Sequence, residues 1–352
     1  MPTADAVWSA QDTGPNAIEE ALRALLAERH AENRGTAPAR ALNMVAFVER
    51  AYSGEIANRM RGVGRYHASR LIVLSYDPHR ERIDARAMIA SEERQDGEVA
   101  PQRETVVVEI GPRHLDDLAT ITDPLVVSDM PTLLWSPHGY PEAVDALLGL
   151  AQAVLIDSVD EPDFAEALDR ACELARRAYV VDLAWLRSTP WRERIAAAFD
   201  PPDMRHELAQ ITRLEIRHHP ESTVSAMLLL GWLAARLRWK MDVLVAKGTD
   251  LSAGGRARRH ELRVQIGADR ALQVRGLSDV RLETASGIRV AFKRSAGGLR
   301  TRRRAGNGVE REWTIVGASR GEGGILGEGI RQALLRDPTY LPALQAARET
   351  MR

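Results

Sequence analysis

Through its first half the chain alternates short, solid apolar runs with amphipathic stretches, and this constrains the fold more than any other feature. The runs at 42–48 (LNMVAFV), 71–76 (LIVLSY), 132–135 (TLLW) and 154–156 (VLI) carry too little polarity to leave one face in water. Strands of that kind are buried on both sides, as in a parallel sheet covered by helices. Between them, 56–62, 116–122, 141–151 and 164–178 read as helices, the last with Ala165, Leu168, Cys172 and Ala175 on one stripe. Two more strands are predicted at 83–89 and 105–110 across a polar turn at 91–101. The first domain is therefore predicted to be α/β, a mostly parallel sheet with helices on both faces, over residues 36–203. Residues 1–35 are predicted as an N-terminal helical arm, loose at 9–15, with Ile18, Leu22, Leu25 and Leu26 on one helical face.

The segment FDPPDM marks the predicted boundary, because Pro201 and Pro202 cannot continue a helix. Beyond it the pattern changes to short strands, placed at 211–216, 241–245, 261–266, 272–274, 280–284, 288–292 and 312–316. Helices are predicted at 224–237, 325–335 and 341–350. The alternation in RLETASGIRVAFKR fits an antiparallel sheet with one wet face. Residues 204–352 are accordingly expected to form an α+β domain with an antiparallel, basic sheet.

Composition narrows the class. A chain of 352 residues that is 45% hydrophobic and 28% charged offsets its chain entropy by burial and is not disordered overall. No apolar run approaches the ~18 residues of a membrane span, and the first forty residues lack a signal-peptide core, so a cytoplasmic protein is expected. Cys172 is the only cysteine, which excludes an internal disulfide and a four-thiolate zinc site. Charge is uneven. Residues 251–320 hold 16 Arg plus Lys against 6 Asp plus Glu, giving this segment +10 and the rest of the chain −11. Such asymmetry suits either an acidic partner or a solvated sheet face.

Motifs for catalysis fail one by one. The P-loop spacing is absent, and Gly321, Gly323, Gly324, Gly327 and Gly329 miss the dinucleotide pattern because Leu326 stands at the third glycine. Gly317–Gly321 matches a nucleophile elbow around Ser319, but the acid and histidine should follow the serine, and the last histidine is His260. Adjacent His218 and His219 on a strand point to opposite faces and cannot chelate one ion. Asp157, Asp160, Glu161 and Asp163 precede a helix, where the macrodipole favours carboxylates. Cys172 on an apolar helical face reads as a buried structural thiol. Two clusters remain. Arg65, His67, Ser69 and Arg70 fit a phosphate grip, and equally fit caps and surface charges. Lys293, Arg294, Arg300, Arg302, Arg303 and Arg304 form a basic patch on the second sheet, with only Phe292 and Trp313 as nearby aromatics. Nucleic-acid binding calls for more interleaved aromatics, so a protein partner ranks above it.

The phrases RALNMVAFVE, RYHASRLIVL, SDMPTLLWSP, VLIDS, DLAWLRSTPWRERIAAAFD and SAMLLLGWLAARLRW occur in an order and spacing that resembles the glucose-6-phosphate dehydrogenase assembly protein family, OpcA. The likeness is strong over about residues 40–245, and the DLAW-x-R-x-TPWR phrase is its most specific piece. Indoles such as Trp185, Trp191 and Trp232 in these phrases are either core anchors or interface contacts, core being favoured.

The resemblance implies a partner that does not catalyse, needs no cofactor, binds glucose-6-phosphate dehydrogenase and promotes its active oligomer in the oxidative pentose phosphate pathway. Photosynthetic members are regarded as responsive to thioredoxin through cysteines, which lone Cys172 cannot reproduce within one chain. Two alternatives stand beside this reading. One is a sugar-phosphate or nucleotide-binding α/β enzyme using Arg65, His67, Ser69 and Arg70, and the other a nucleic-acid-binding regulator using the basic sheet.

Overall fold

The computed structural model describes residues 6–32, 41–63, 69–90, 103–316 and 321–352. The chain divides into two compact units that are interleaved in sequence. The first comprises Met1–Ile156, Arg177–Val181 and Leu326–Leu335, and the second Asp157–Arg176, Asp182–Ile325 and Arg336–Arg352. Pro201 and Pro202, expected to mark the boundary, lie inside the second unit. There the Pro201 carbonyl accepts from the Met204 amide at 2.8 Å.

From the N-terminus come β1 (Ala6–Ala10), α1 (Pro15–Glu32), β2 (Leu42–Glu49), α2 (Ser53–Val63), β3 (Ser69–Tyr76), β4 (Asp84–Ala90) and β5 (Arg103–Ile110). They are followed by α3 (Leu118–Thr122), β6 (Thr132–Trp135), α4 (Pro141–Leu147), β7 (Ala153–Ile156), α5 (Phe164–Leu174) and β8 (Tyr179–Asp182). The first sheet has the order β1-β4-β5-β3-β2-β6-β7-β8. Strands β5, β3, β2, β6 and β7 are parallel neighbours, with β4 and β1 antiparallel at one edge. This is the expected α/β architecture. Its central strand β2 buries every residue from Leu42 to Val48, which is why that run reads as solidly apolar. The one polar side chain in it, Asn43, donates to the Val127 carbonyl at 2.9 Å and accepts from the Val127 amide at 3.1 Å. Burial of the amide is thereby offset by hydrogen bonds that fix the loop before β6.

The N-terminal segment is more than a loose arm. Ser9 and Ala10 belong to β1, which pairs with β4 from Ala6 opposite Ile89 to Ala10 opposite Ala85. Ile18 and Leu22 of α1 are fully buried.

The second unit adds α6 (Leu183–Arg187), α7 (Thr189–Phe199), β9 (Ile211–His218), α8 (Thr223–Leu237), β10 (Lys240–Met241), β11 (Val245–Lys247), β12 (Asp250–Ala257) and β13 (His260–Ala268). It continues with β14 (Leu277–Thr284), β15 (Arg289–Ser295), β16 (Gly298–Arg304) and β17 (Glu310–Val316). The chain ends in α9 (Gly321–Leu335), whose later part belongs to the first unit, and α10 (Tyr340–Glu349). The sheet runs β10-β12-β13-β9-β14-β15-β16-β17, with β11 also on β12. It is antiparallel except where β13 meets β9. Helix α8, buried almost throughout from Val224 to Ala234, packs on the sheet, α5, α6 and α10. Its Gly231 is required. A Cβ there would lie 2.0 Å from the Ala343 carbonyl oxygen of α10.

Two expected strands need correction. Residues 272–274 form no strand, and Val274 is half exposed. The predicted strand 241–245 is two short pieces, β10 and β11, because the Leu244 amide between them bonds to the Thr350 carbonyl instead, at 2.8 Å.

Candidate functional site

The phrase DLAWLRSTPWR folds into a compact turn of chain in which each polar residue has a defined partner. Asp182 caps α6, its carboxylate accepting from the Ala184 amide at 2.9 Å, the Ser158 hydroxyl at 2.6 Å and the Tyr340 hydroxyl at 3.2 Å. It is 1% exposed, and burial pushes its carboxyl up to about 6 despite these bonds. The Trp185 indole donates to Asp337 at 2.8 Å. Arg187 grips Asp157 with both terminal nitrogens, at 2.8 and 2.6 Å. Pro190 sits in the first turn of α7, where its missing N–H costs nothing. Arg192 lies over the Trp185 ring and donates to the Trp185 carbonyl at 2.7 Å, and burial pushes it down to about 9. Trp191 is buried in the core, as favoured for the indoles. The residue types that make this phrase specific are thus the ones that stitch α6 and α7 to α10 and to residues 157–158, ahead of α5.

Arg65 and His67 of the expected anion cluster lie outside the described residues, and Ser69 is the first residue of β3. Arg70 is 3% exposed and already bound. Its Nε donates to Glu104 at 2.7 Å, and one terminal nitrogen donates to Glu19 at 3.0 Å and to the Leu125 carbonyl at 2.9 Å. A phosphate here must displace two carboxylates, so Arg70 serves to tie β3 to β5 and α1.

The basic patch is divided by the two-residue period of its strands. Pairing of Arg289 with Arg304, Ala291 with Arg302, and Lys293 with Arg300 sets these residues on the wet face. Arg294 and Arg303 fall on the opposite face, in register with Leu299 and Val290. Arg294 donates to the Leu277 carbonyl at 3.0 Å, and burial lowers its pKa. The wet face is mixed in sign. Arg302 sits between Glu310 and Glu312, at 2.9 Å from each, Arg289 meets Glu283 at 3.0 Å, and Arg213 meets Glu215 at 2.5 Å. A shallow cavity of about 410 Å³ runs among Arg213, Arg281, Arg289, Arg302 and Arg304. Among the described residues, Lys293 and Arg304 have no ion-pair partner.

The remaining candidates resolve simply. Ser319 lies outside the described residues. His218 is buried, bonded through Nδ1 to the His219 carbonyl, and burial lowers its pKa. Among the described residues no group of three or more His, Cys, Asp or Glu is placed to hold a metal ion. Asp163 caps α5, accepting from the Ala165 and Glu166 amides. Cys172 is buried and its thiol is pushed up by burial, away from the reactive thiolate. Sequence reasoning missed Ser158, Asp337 and Tyr340, which complete the Asp182 and Trp185 contacts from distant positions and carry no local signal. No helix among the described residues is long and apolar enough to cross a membrane.

Comparison with known proteins agrees with the specific phrase. Residues 61–173 match the glucose-6-phosphate dehydrogenase subunit N-terminal domain, and residues 178–344 match the corresponding C-terminal domain. Proteins named OxPP cycle protein OpcA are similar in Synechocystis sp., with 29% identity over 36% of this chain and 27% of theirs, and in Synechococcus elongatus, with 28% identity over 39% and 32%. A third, from Nostoc punctiforme, is 30% identical over 36% of this chain and 28% of its own length. The matched stretch thus spans about a third or less of these relatives. Among solved structures, a WlbA dehydrogenase from Thermus thermophilus aligns with a TM-score of 0.44 at 14% identity, covering 88% of this chain and 95% of that one. An apo scyllo-inositol dehydrogenase from Lactobacillus casei aligns at 0.47 and 11%, covering 88% and 96%. On the two domain matches, which together span most of the sequence, the chain belongs to the OpcA family of glucose-6-phosphate dehydrogenase assembly proteins.

Proposed function

We propose that this protein binds glucose-6-phosphate dehydrogenase and shifts it toward its active oligomer in the oxidative pentose phosphate pathway, making and breaking no covalent bond itself. The observation that carries this is the match of both halves of the chain to glucose-6-phosphate dehydrogenase subunit domains. The interior chemistry supports it. Asp182, Arg187 and Arg192 of the specific phrase are each committed to internal partners, and Asp182, the carboxyl with the most strongly raised pKa, is sealed from solvent. Such a protein acts by differential affinity for two states of its partner. Moving an equilibrium from 1:99 to 99:1 takes about 5.5 kcal/mol of that difference, which one well-packed interface supplies.

The partner face proposed is the wet side of the second sheet, with Lys293 and Arg304 as the cations that have no ion-pair partner among the described residues, and with Arg300 beside them in a longer pair with Glu312 at 3.4 Å. Arg302 contributes less, being neutralised by Glu310 and Glu312, and Arg294 and Arg303 belong to the other face. The same neutralisation weighs against a nucleic-acid surface, which needs uninterrupted positive potential.

Co-purification with the dehydrogenase, followed by measurement of its oligomer mass and kinetics with and without this chain, tests the proposal. A stable complex with a raised active-oligomer fraction is expected. Unchanged mass and kinetics, or turnover of a sugar phosphate by this chain alone, would overturn it.

A further inference from the structure

A cavity of about 490 Å³ opens at the carboxyl ends of β2 and β3, lined chiefly by Glu49, Arg50, Ala51, Tyr76, Asp77 and Tyr140. Its place follows from topology. The chain steps outward from β2 to β3 and β5, then crosses to β6 on the other side of β2. Open α/β sheets receive ligands outside the carboxyl ends of their strands at such a reversal.

Aromatic rings and two carboxylates define the cavity. The Tyr140 ring lies 5.2 Å from that of Phe47 and 5.9 Å from that of Tyr76. Beside the lining residue Ala51, Tyr52 stacks on His138 at 4.3 Å, with its ring part exposed. Tyr140 is held at φ 75°, a left-handed conformation costly for a tyrosine, and its hydroxyl donates to Glu49. Strain of this kind persists where surrounding contacts over-determine a residue, and such residues cluster at ligand clamps. Asp77 accepts from the His79 amide at 3.0 Å and from Arg50 at 2.8 Å, and these bonds hold its carboxyl below the usual range.

The same residues select a ligand. The turn from Glu49 to Gly54 has one glycine in place of the glycine-rich bend that lets a diphosphate approach the backbone. With Glu49 and Asp77 against Arg50 alone, the cavity carries one more carboxylate than cation and repels phosphate. Carboxylates accept hydrogen bonds from neighbouring hydroxyls, and tyrosine faces take the apolar side of a ring.

We propose that this crevice binds an uncharged ring bearing a vicinal diol, with Asp77 and Glu49 accepting its hydroxyls and Tyr76 and Tyr140 against the ring. A ribonucleoside and a free hexose share that chemistry. The site stands independently of the dehydrogenase partner.

Titration calorimetry and saturation-transfer NMR on the full chain, with adenosine, glucose, AMP and glucose 6-phosphate as probes, test it. Binding of adenosine identifies a nucleoside site, and binding of glucose a hexose site. The phosphorylated form of the bound probe is expected to bind about tenfold more weakly, as like charges in a partly buried site require. Asp77→Asn should weaken binding about tenfold through loss of a charge-assisted hydrogen bond, and Ala51→Trp, a change at an exposed lining position, should abolish it by filling the cavity. Both variants are checked for an unchanged melting temperature. The proposal is overturned if neither neutral probe binds below about 10 mM, a threshold of about −2.7 kcal/mol. It is overturned equally if the phosphorylated probe binds as tightly as the neutral one, or if both variants keep the affinity of the parent.

Discussion

The guanidinium carbon of Arg192 lies 3.4 Å from the centroid of the Trp185 ring, while its nitrogens donate to the Trp185 carbonyl and to Thr189. One side chain thus closes the junction of α6 and α7 through a cation–π contact and a fork of hydrogen bonds. Lysine keeps the charge but loses the planar stacking and the second donor direction. Arg192→Lys is expected to cost about 2 kcal/mol, from one lost cation–π contact and at least one hydrogen bond to a charged donor. Urea denaturation at neutral pH checks this, and a change below about 0.5 kcal/mol, the level of an ordinary surface substitution, would contradict it.

Asp182 titrates in the folded chain at about 6, well above an ordinary aspartate, because burial disfavours its charge. The folded state therefore holds a proton that the unfolded state has released between about pH 4 and pH 6. The sign follows. This residue's contribution is fully present below about pH 4 and is lost as pH rises to about 6, a change of order 3 kcal/mol. Asp182→Asn has no such titration, and its amide can donate to the Ser158 and Tyr340 hydroxyls. Relative to the parent, the asparagine variant should gain of order 3 kcal/mol between pH 4 and pH 7. Parallel stability curves for the two proteins would show that Asp182 does not carry this proton.

Much of the fold is legible along the chain, and the exceptions have physical causes. β2, β3, β6 and β7 stand out because strands buried on both faces admit few polar residues. β12 does not stand out, since LSAGGRA lacks β-branched and aromatic residues, and its extended form comes from pairing with β10, β11 and β13. The split of the basic patch was available from the two-residue period of a strand, which separates Arg303 from Arg302 and Arg304. The Asp182 site was not available. Tyr340 is 158 positions away and Asp337 is 152 from Trp185, and no local pattern joins them.

Lys293, Arg300 and Arg304 line one face, with Lys293 opposite Arg300 in the register of β15 and β16. Replacing all three by Glu should weaken binding to the dehydrogenase at least tenfold at low salt, with the difference shrinking at high salt as screening removes the long-range part. Arg303→Glu, on the opposite face, should change affinity less than about twofold. Equal effects from both variants would remove this sheet face as the docking surface.

Cys172 is shielded on α5, and burial raises its thiol above the ordinary range, so the thiolate is scarce at neutral pH. The folded protein should react with a thiol reagent far more slowly than the urea-unfolded protein. Oxidants and reductants should leave its effect on the dehydrogenase unchanged. A reductant-dependent effect would require a disulfide between chains.

Gly231 lets α8 and α10 approach until only a hydrogen fits between them. A Cβ at this position would lie 2.0 Å from the Ala343 carbonyl oxygen and 2.7 Å from the Ala347 amide nitrogen, both backbone atoms that cannot rotate away. Gly231→Ala gains up to about 1 kcal/mol of helix propensity. Separating the helices costs about 3 kcal/mol or more, at the upper end of overpacking penalties. The net expectation is a loss of about 2 kcal/mol, read from a lower urea midpoint. Gly323→Ala, in α9 with nothing within 4 Å of its added Cβ, should be neutral or slightly stabilising. Because α10 also carries Tyr340 to Asp182, parting the helices removes a hydrogen bond that favours the carboxylate. The pH-dependent loss of stability in Gly231→Ala should therefore continue to higher pH than in the parent, and a loss of stability without that change would mean the helices yield away from Tyr340.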